Sequence, residues 1–205
     1  MQTTTYYLRA VLGTAAIIFF LCMSAVAQET RSEISLQGTG FLTKNSDGYG
    51  IHNRPTETGG LLVGYRYRVY RWLSAEANYG YVRNTQIFSG SYSGRVQSNI
   101  HQITSSAVVK LPAFSKLEPY ARAGGGALVL DPTDNAGGSI AGQSRQTRGA
   151  FLYGGGADCP ITSRLAFRAE YRGYVYKNPT FGLANLKTDS YSHIAQPSVG
   201  LVFKF

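Results

Sequence analysis

The chain has little of what catalysis, redox chemistry or metal binding requires. Of its 205 residues only two are cysteine, Cys22 and Cys159, and only three are histidine. Cys22 sits in an apolar leader, so Cys159 is left alone and no intrachain disulfide holds the exported chain. His52, His101 and His193 lack the spacing of a metal site. No serine stands two residues after His101 or His193, so no catalytic residue, metal or cofactor is expected. Acidic residues are also sparse, 11 against 20 basic ones. The basic residues are scattered among Gly and Tyr rather than clustered with stacking aromatics, which argues against nucleic-acid binding. After Gln28 there is no apolar run long enough for a spanning helix.

The first residues carry one positive charge, Arg9, then an apolar run from Ala10 to Val26, then Ala25-Val26-Ala27 before Gln28. This layout predicts a secretory signal peptide over 1–27, with residues 28–205 as the exported domain. An exported chain without a second helix is either soluble or crosses a membrane as strands.

Alternation decides between these. In "LAFRAEYRGYVY" (165–176), Leu165, Phe167, Ala169, Tyr171 and Val175 share one face, and Arg168, Glu170, Arg172 and Tyr174 the other. Similar stretches at about 33–43, 58–69, 73–84, 98–111, 119–130, 148–159 and 192–205 bring the expected strands to eight. Short connections at 70–72, 112–119 and 160–163 alternate with long polar ones at 44–57, 85–97, 131–147 and 177–191. Two unlike rims suit a barrel between two compartments. The expected fold is all-β: an eight-stranded antiparallel up-and-down transmembrane β-barrel. The glycine runs at 123–127 and 153–157 fit strongly curved strands, since neither opens a helix as a phosphate loop does.

With odd positions facing lipid from the second strand onward, the lumen receives a charge network of Arg66, Arg68, Glu76, Lys110, Arg122, Arg168, Glu170 and Arg172, with Asp158 also inward. A first turn centred on Arg71 sets Arg66 opposite Glu76, and a third centred on Ile161 sets Asp158 opposite Arg164. A barrel of eight strands has room only for its own side chains, so a plugged lumen is expected. The alternative is a small, weakly anion-preferring porin-like channel, from the excess of basic groups. Pro197 is expected where no ladder bond is donated.

The ending "SVGLVFKF" places Val199, Leu201, Phe203 and Phe205 on one face. It resembles the terminal strand of bacterial outer-membrane barrels. "PYARAGGGALVLDPT" (119–133), "FLYGGGADCPITSRLAFRAEYRGYVY" (151–176) and "AQPSVGLVFKF" (195–205) extend the likeness. The chain thereby resembles the outer-membrane β-barrels of the OmpA/OmpX type, within the porin-like group. The resemblance implies a bacterial outer-membrane location, Val199, Leu201, Phe203 and Phe205 as a terminal assembly signal for the barrel-assembly machinery, and a non-enzymatic structural, adhesion or surface-interaction role. Partners are then outer-membrane lipid and lipopolysaccharide, with a monomer expected. Arg54, Arg83, Arg95, Arg145, Arg148 and Lys187, at or near the long-loop rim, are the candidate lipopolysaccharide contacts.

Overall fold

The computed structural model describes residues 31–48, 50–90, 93–133, 142, 144–181 and 190–205. The expected signal peptide and Lys187 lie outside the described residues. The strands are β1 (Ser32–Thr43), β2 (Ser46–Gly48), β3 (Ile51–Pro55), β4 (Thr58–Arg68), β5 (Leu73–Gly90), β6 (Gly94–Lys110), β7 (Glu118–Thr133), β8 (Gln146–Pro160), β9 (Leu165–Lys177) and β10 (Tyr191–Lys204). Eight of them, all but β2 and β3, close an antiparallel barrel in the order β5-β4-β1-β10-β9-β8-β7-β6, with β6 returning to β5. Closure between first and last strand runs from Glu33 opposite Lys204 to Thr39 opposite Ser198. It removes the sheet edge that hydrocarbon cannot solvate.

Orientation follows the alternation. Phe167 and Tyr171 are 43% and 40% exposed, whereas Arg168 and Glu170 between them are 1% and 6% exposed. The aliphatic and aromatic residues therefore coat the cylinder, and the ionic groups lie within it. Gly124 and Gly154 belong to the inward face. A Cβ at either would stand 2.1 Å from a backbone oxygen of the neighbouring strand, Ser105 O or Tyr171 O. No side chain is compatible with so close a backbone approach.

Three features depart from the sequence expectation. The 85–97 segment is mostly strand: β5 continues to Gly90 and β6 begins at Gly94, paired from Thr85 opposite Gln97 to Phe88 opposite Gly94. The 44–57 segment folds into β2 and β3, and β3 extends the sheet along the outer part of β5, Arg54 opposite Ile87. Asp158 pairs with Arg168, not Arg164. The reason lies in the turn. Thr162 Oγ1 accepts the backbone N–H groups of Arg164 (3.3 Å) and Leu165 (3.0 Å), and Ile161 N donates to Leu165 O. Arg164 is thus consumed by the turn and the register moves along β9.

At Pro197 the ladder between β1 and β10 lapses: pairing stops at Thr39 opposite Ser198 and resumes at Leu42 opposite Ala195. The β9 side stays paired, Pro197 opposite Tyr171. The missing N–H therefore falls on the closing seam. There Thr39 Oγ1 donates to Pro197 O at 3.0 Å.

The lumen is filled in two layers. Towards the short-turn rim it is ionic. Towards the long-loop rim it is apolar, with Phe41, Val82, Ile100, Leu128, Leu130, Leu152, Tyr174 and Ile194 in one buried cluster. Phe181, just past β9, joins that cluster fully buried despite a left-handed φ of 50°.

Candidate functional site

The ionic layer is built from residues of six of the eight barrel strands, three of them on β9. Register places Arg66 opposite Glu76, as a turn centred on Arg71 requires, and Arg66 Nε donates to Glu76 Oε2 at 2.6 Å. Glu76 is the hub. Its Oε1 also accepts from Arg122 Nη1 at 2.9 Å and Arg172 Nη2 at 3.1 Å. Glu170 binds Arg122 Nη2, takes Arg172 Nε at 2.6 Å, and accepts the Tyr120 hydroxyl at 2.6 Å. Arg168 grips Asp158 with both prongs, at 2.6 and 2.7 Å, and reaches Glu33 Oε2 at 3.1 Å. The Tyr120 ring lies under this layer, its centroid 4.4 Å from the Arg66 guanidinium carbon, an arrangement favoured by the ring quadrupole.

The charges cancel. Arg66, Arg122, Arg168 and Arg172 face Glu33, Glu76, Asp158 and Glu170, and all eight are buried. Arg68 and Lys110, expected in the same network, stand at the short-turn rim instead. Arg68 is part-exposed with Glu33 at 3.9 Å, and Lys110 lies 3.5 Å from Glu118, which Lys204 also approaches at 3.4 Å. These eight groups are balanced, while Arg68, Lys110 and Lys204 outnumber Glu118 at the short-turn rim. Glu33 was not anticipated in the network. Its signal was present in the polar face Glu33, Ser35, Gln37, Thr39 of β1. Asn78, Gln102 and Gln196 line the step to the apolar layer, Gln196 Nε2 donating to Gln102 Oε1 at 3.2 Å.

The outer surface gathers the other candidates. Arg54, Arg83, Arg95 and Arg145 are exposed. Arg54 and Arg95 flank Ile87 in one row across β3, β5 and β6. Arg148 is placed differently: it shares the face of Ala150 and Leu152 and lies half-buried at the mouth of the lumen. His101 Nδ1 is 2.7 Å from the Tyr79 hydroxyl, and His193 Nε2 is 2.8 Å from that of Tyr153. Both pairs lie on the outer wall. His52 contacts Asp47 at 2.7 Å between β2 and β3. Among the described residues no group of three His, Cys, Asp or Glu side chains is disposed to hold a metal.

At the chain end, Val199, Leu201 and Phe203 face outward and exposed, and Phe203 stacks on Phe205 at 6.2 Å. Phe205 is stitched to the first strand by two backbone bonds with Ser32, 2.8 and 3.0 Å.

A family model described as "Outer membrane protein beta-barrel domain" matches residues 13–205. A comparison with curated proteins finds no significant match. Among solved structures the fold is shared with the outer membrane protein OprG of Pseudomonas aeruginosa at TM-score 0.61 and 13% identity, over 87% of this chain and 97% of that one. It is shared with Neisserial surface protein A, NspA, at 0.57 and 15%, over 85% and 97%. It is shared also with Ail, the attachment invasion locus protein of Yersinia pestis, solved with the heparin analogue sucrose octasulfate, at 0.54 and 17%, over 87% and 100%.

Proposed function

This chain belongs to the outer membrane protein beta-barrel domain family, and from that premise we propose that it is a non-enzymatic, non-conducting surface protein of the bacterial outer membrane. In this reading residues 1–27 direct export, and Val199, Leu201, Phe203 and Phe205 present the assembly signal. Activity then resides on the outer face. The supporting observation is the doubly filled lumen: an ionic layer with four arginines against four carboxylates, followed by a buried apolar layer under Phe181. Ions face both a desolvation barrier and, in the buried ionic layer, charges already paired with one another.

The outer face is suited to anionic glycans. Arg54, Arg83, Arg95 and Arg145 project from the long-loop side, where guanidinium groups can bind phosphate or sulfate bidentately. That Ail is seen with a sulfated heparin analogue supports this class of ligand. Lipopolysaccharide in the surrounding leaflet belongs to the same class, with Lys187 a further contributor. Arg148 is less well placed for such contacts than its exposed neighbours.

Planar-bilayer recording of the refolded chain, paired with binding of sucrose octasulfate, tests the reading. A silent bilayer and saturable, salt-sensitive binding are expected. Sustained anion-selective steps would replace it with the channel reading.

A further inference from the structure

We propose that Tyr81, Arg83, Asn99 and His101, on the outer wall of β5 and β6, form a prearranged site for a phosphate of an outer-leaflet glycolipid. The inference rests on the proposed surface role and names one site and one partner within it.

Pairing sets Tyr81 opposite His101 and Arg83 opposite Asn99. All four point away from the lumen, because their neighbours Val82, Asn84, Ile100 and Gln102 are the buried ones. A chain of bonds fixes them. Asn99 Oδ1 accepts from the Tyr81 hydroxyl and from Arg83 Nε, each at 3.0 Å. His101 is held by the Tyr79 hydroxyl through Nδ1 and by the Tyr81 ring, 5.4 Å between centroids. Holding Arg83 through Nε orients its two terminal amino groups, the pair a phosphate takes bidentately. The side chains are thus ordered before any ligand arrives, which lowers the cost of binding one.

Height selects the partner. Below the site, Tyr79 and Ile103 are broadly exposed and belong to the lipid-facing belt. Above it, the Arg54–Ile87–Arg95 row lies four residues along the strand, about 13 Å at the usual rise. The site therefore stands where an aromatic belt gives way to headgroups. A phosphate carried by the membrane's own glycolipid arrives there with its acyl chains already against the belt. A soluble glycan meets the Arg54 and Arg95 row first. The opposite wall supports this selectivity: Tyr153 and His193 repeat the tyrosine–histidine bond, without, among the described residues, an asparagine-held arginine above it. Asp131, opposite Asn99 on β7, brings an acid beside the site and opposes the anion.

The test uses the full chain refolded in detergent, with native mass spectrometry to count bound lipid. The probes are bisphosphorylated lipid A, its dephosphorylated form and sucrose octasulfate. Arg83→Gln is expected to lower lipid A binding about tenfold, the loss of one charge-assisted bidentate contact. Removing the phosphates should have the same effect, Arg83→Lys a smaller one, and Asp131→Asn should tighten binding. Each variant's fold is checked by its mobility shift on heating. Undiminished lipid A binding by folded Arg83→Gln, or indifference to the phosphates, overturns the site. If octasulfate binding then disappears in an Arg54→Gln, Arg95→Gln variant, the broader surface role survives without this site. No binding of any probe sinks both.

Discussion

The two halves of the lumen solve one packing problem by opposite chemistry. On the short-turn side, eight charged groups interlock around Glu76 and Glu170. On the long-loop side, Phe41, Val82, Leu128, Leu152 and Ile194 fill the same cylinder as an ordinary core. Apolar packing stabilises by area removed from water and tolerates adjustment. An ionic layer is an all-or-none device, because each buried charge deprived of its partners becomes a liability. The halves should therefore answer substitution differently, and unfolding by urea in detergent micelles measures the difference.

The largest effect is expected for Glu76→Leu. It leaves Arg66, Arg122 and Arg172 without the carboxylate they share, and breaking such a buried set costs about 3–5 kcal/mol. A loss below about 1 kcal/mol, on the scale of an exposed pair, would show that water reaches this layer and would erase the contrast. In the apolar half, Leu152→Ala removes a fully buried side chain and should cost about 2–4 kcal/mol through lost transfer energy and a residual cavity. Bilayer recordings sharpen the point: Leu152→Ala should remain silent, since the ionic layer is untouched.

What could be read from the sequence divides along the same boundary. Charges on an alternating strand announce their face, so Arg66, Glu76, Arg122, Arg168, Glu170 and Arg172 were assigned to the lumen by parity. The short turn around Arg71 supplied one true pair. The third turn misled by four residues on β9, because the Thr162 hydroxyl draws Arg164 into the turn, a local competition that spacing does not reveal. The apolar half was illegible for a physical reason. Ile100, Leu128, Leu130, Leu152 and Ile194 share parity with the charges, and an apolar residue looks alike facing lipid or filling a core. The outer parts of β5 and β6 read as loop because Thr85, Gln86, Ser89, Gly90, Gly94 and Gln97 leave only Phe88 and Val96 as inward apolar residues, too few to show an alternation. Phe88 and Val96 nonetheless face inward and join the apolar cluster.

Phe181 tests where the apolar half ends. Its ring completes the cluster, while its backbone sits at φ 50°, a region an aromatic residue rarely adopts. The segment is held by Gln146 Oε1, which accepts from Thr180 N at 2.8 Å and Phe181 N at 3.1 Å. Phe181→Gly loses the ring, about 3 kcal/mol, but relieves about 1 kcal/mol of backbone strain. The net loss of about 2 kcal/mol is expected to come without conduction. Conduction in this variant would locate the seal at the mouth and leave the ionic layer as a permeable lining.

The smallest expected effect is the most discriminating. Asp158→Leu together with Arg168→Met replaces the bidentate pair by apolar groups of similar bulk, leaving Glu33 near Arg66 at 3.7 Å and Arg68 at 3.9 Å. Desolvation of a buried pair roughly offsets its attraction, so the double variant should lie within about 1 kcal/mol of the parent, although each single change should cost about 3 kcal/mol. That outcome would mean the ionic half fixes which strands meet, through partners on β1, β4, β5, β7, β8 and β9, rather than how firmly they hold. A double variant several kcal/mol weaker would instead make the ions a source of stability. The apolar half would then be the cap on a barrel held together by its charges.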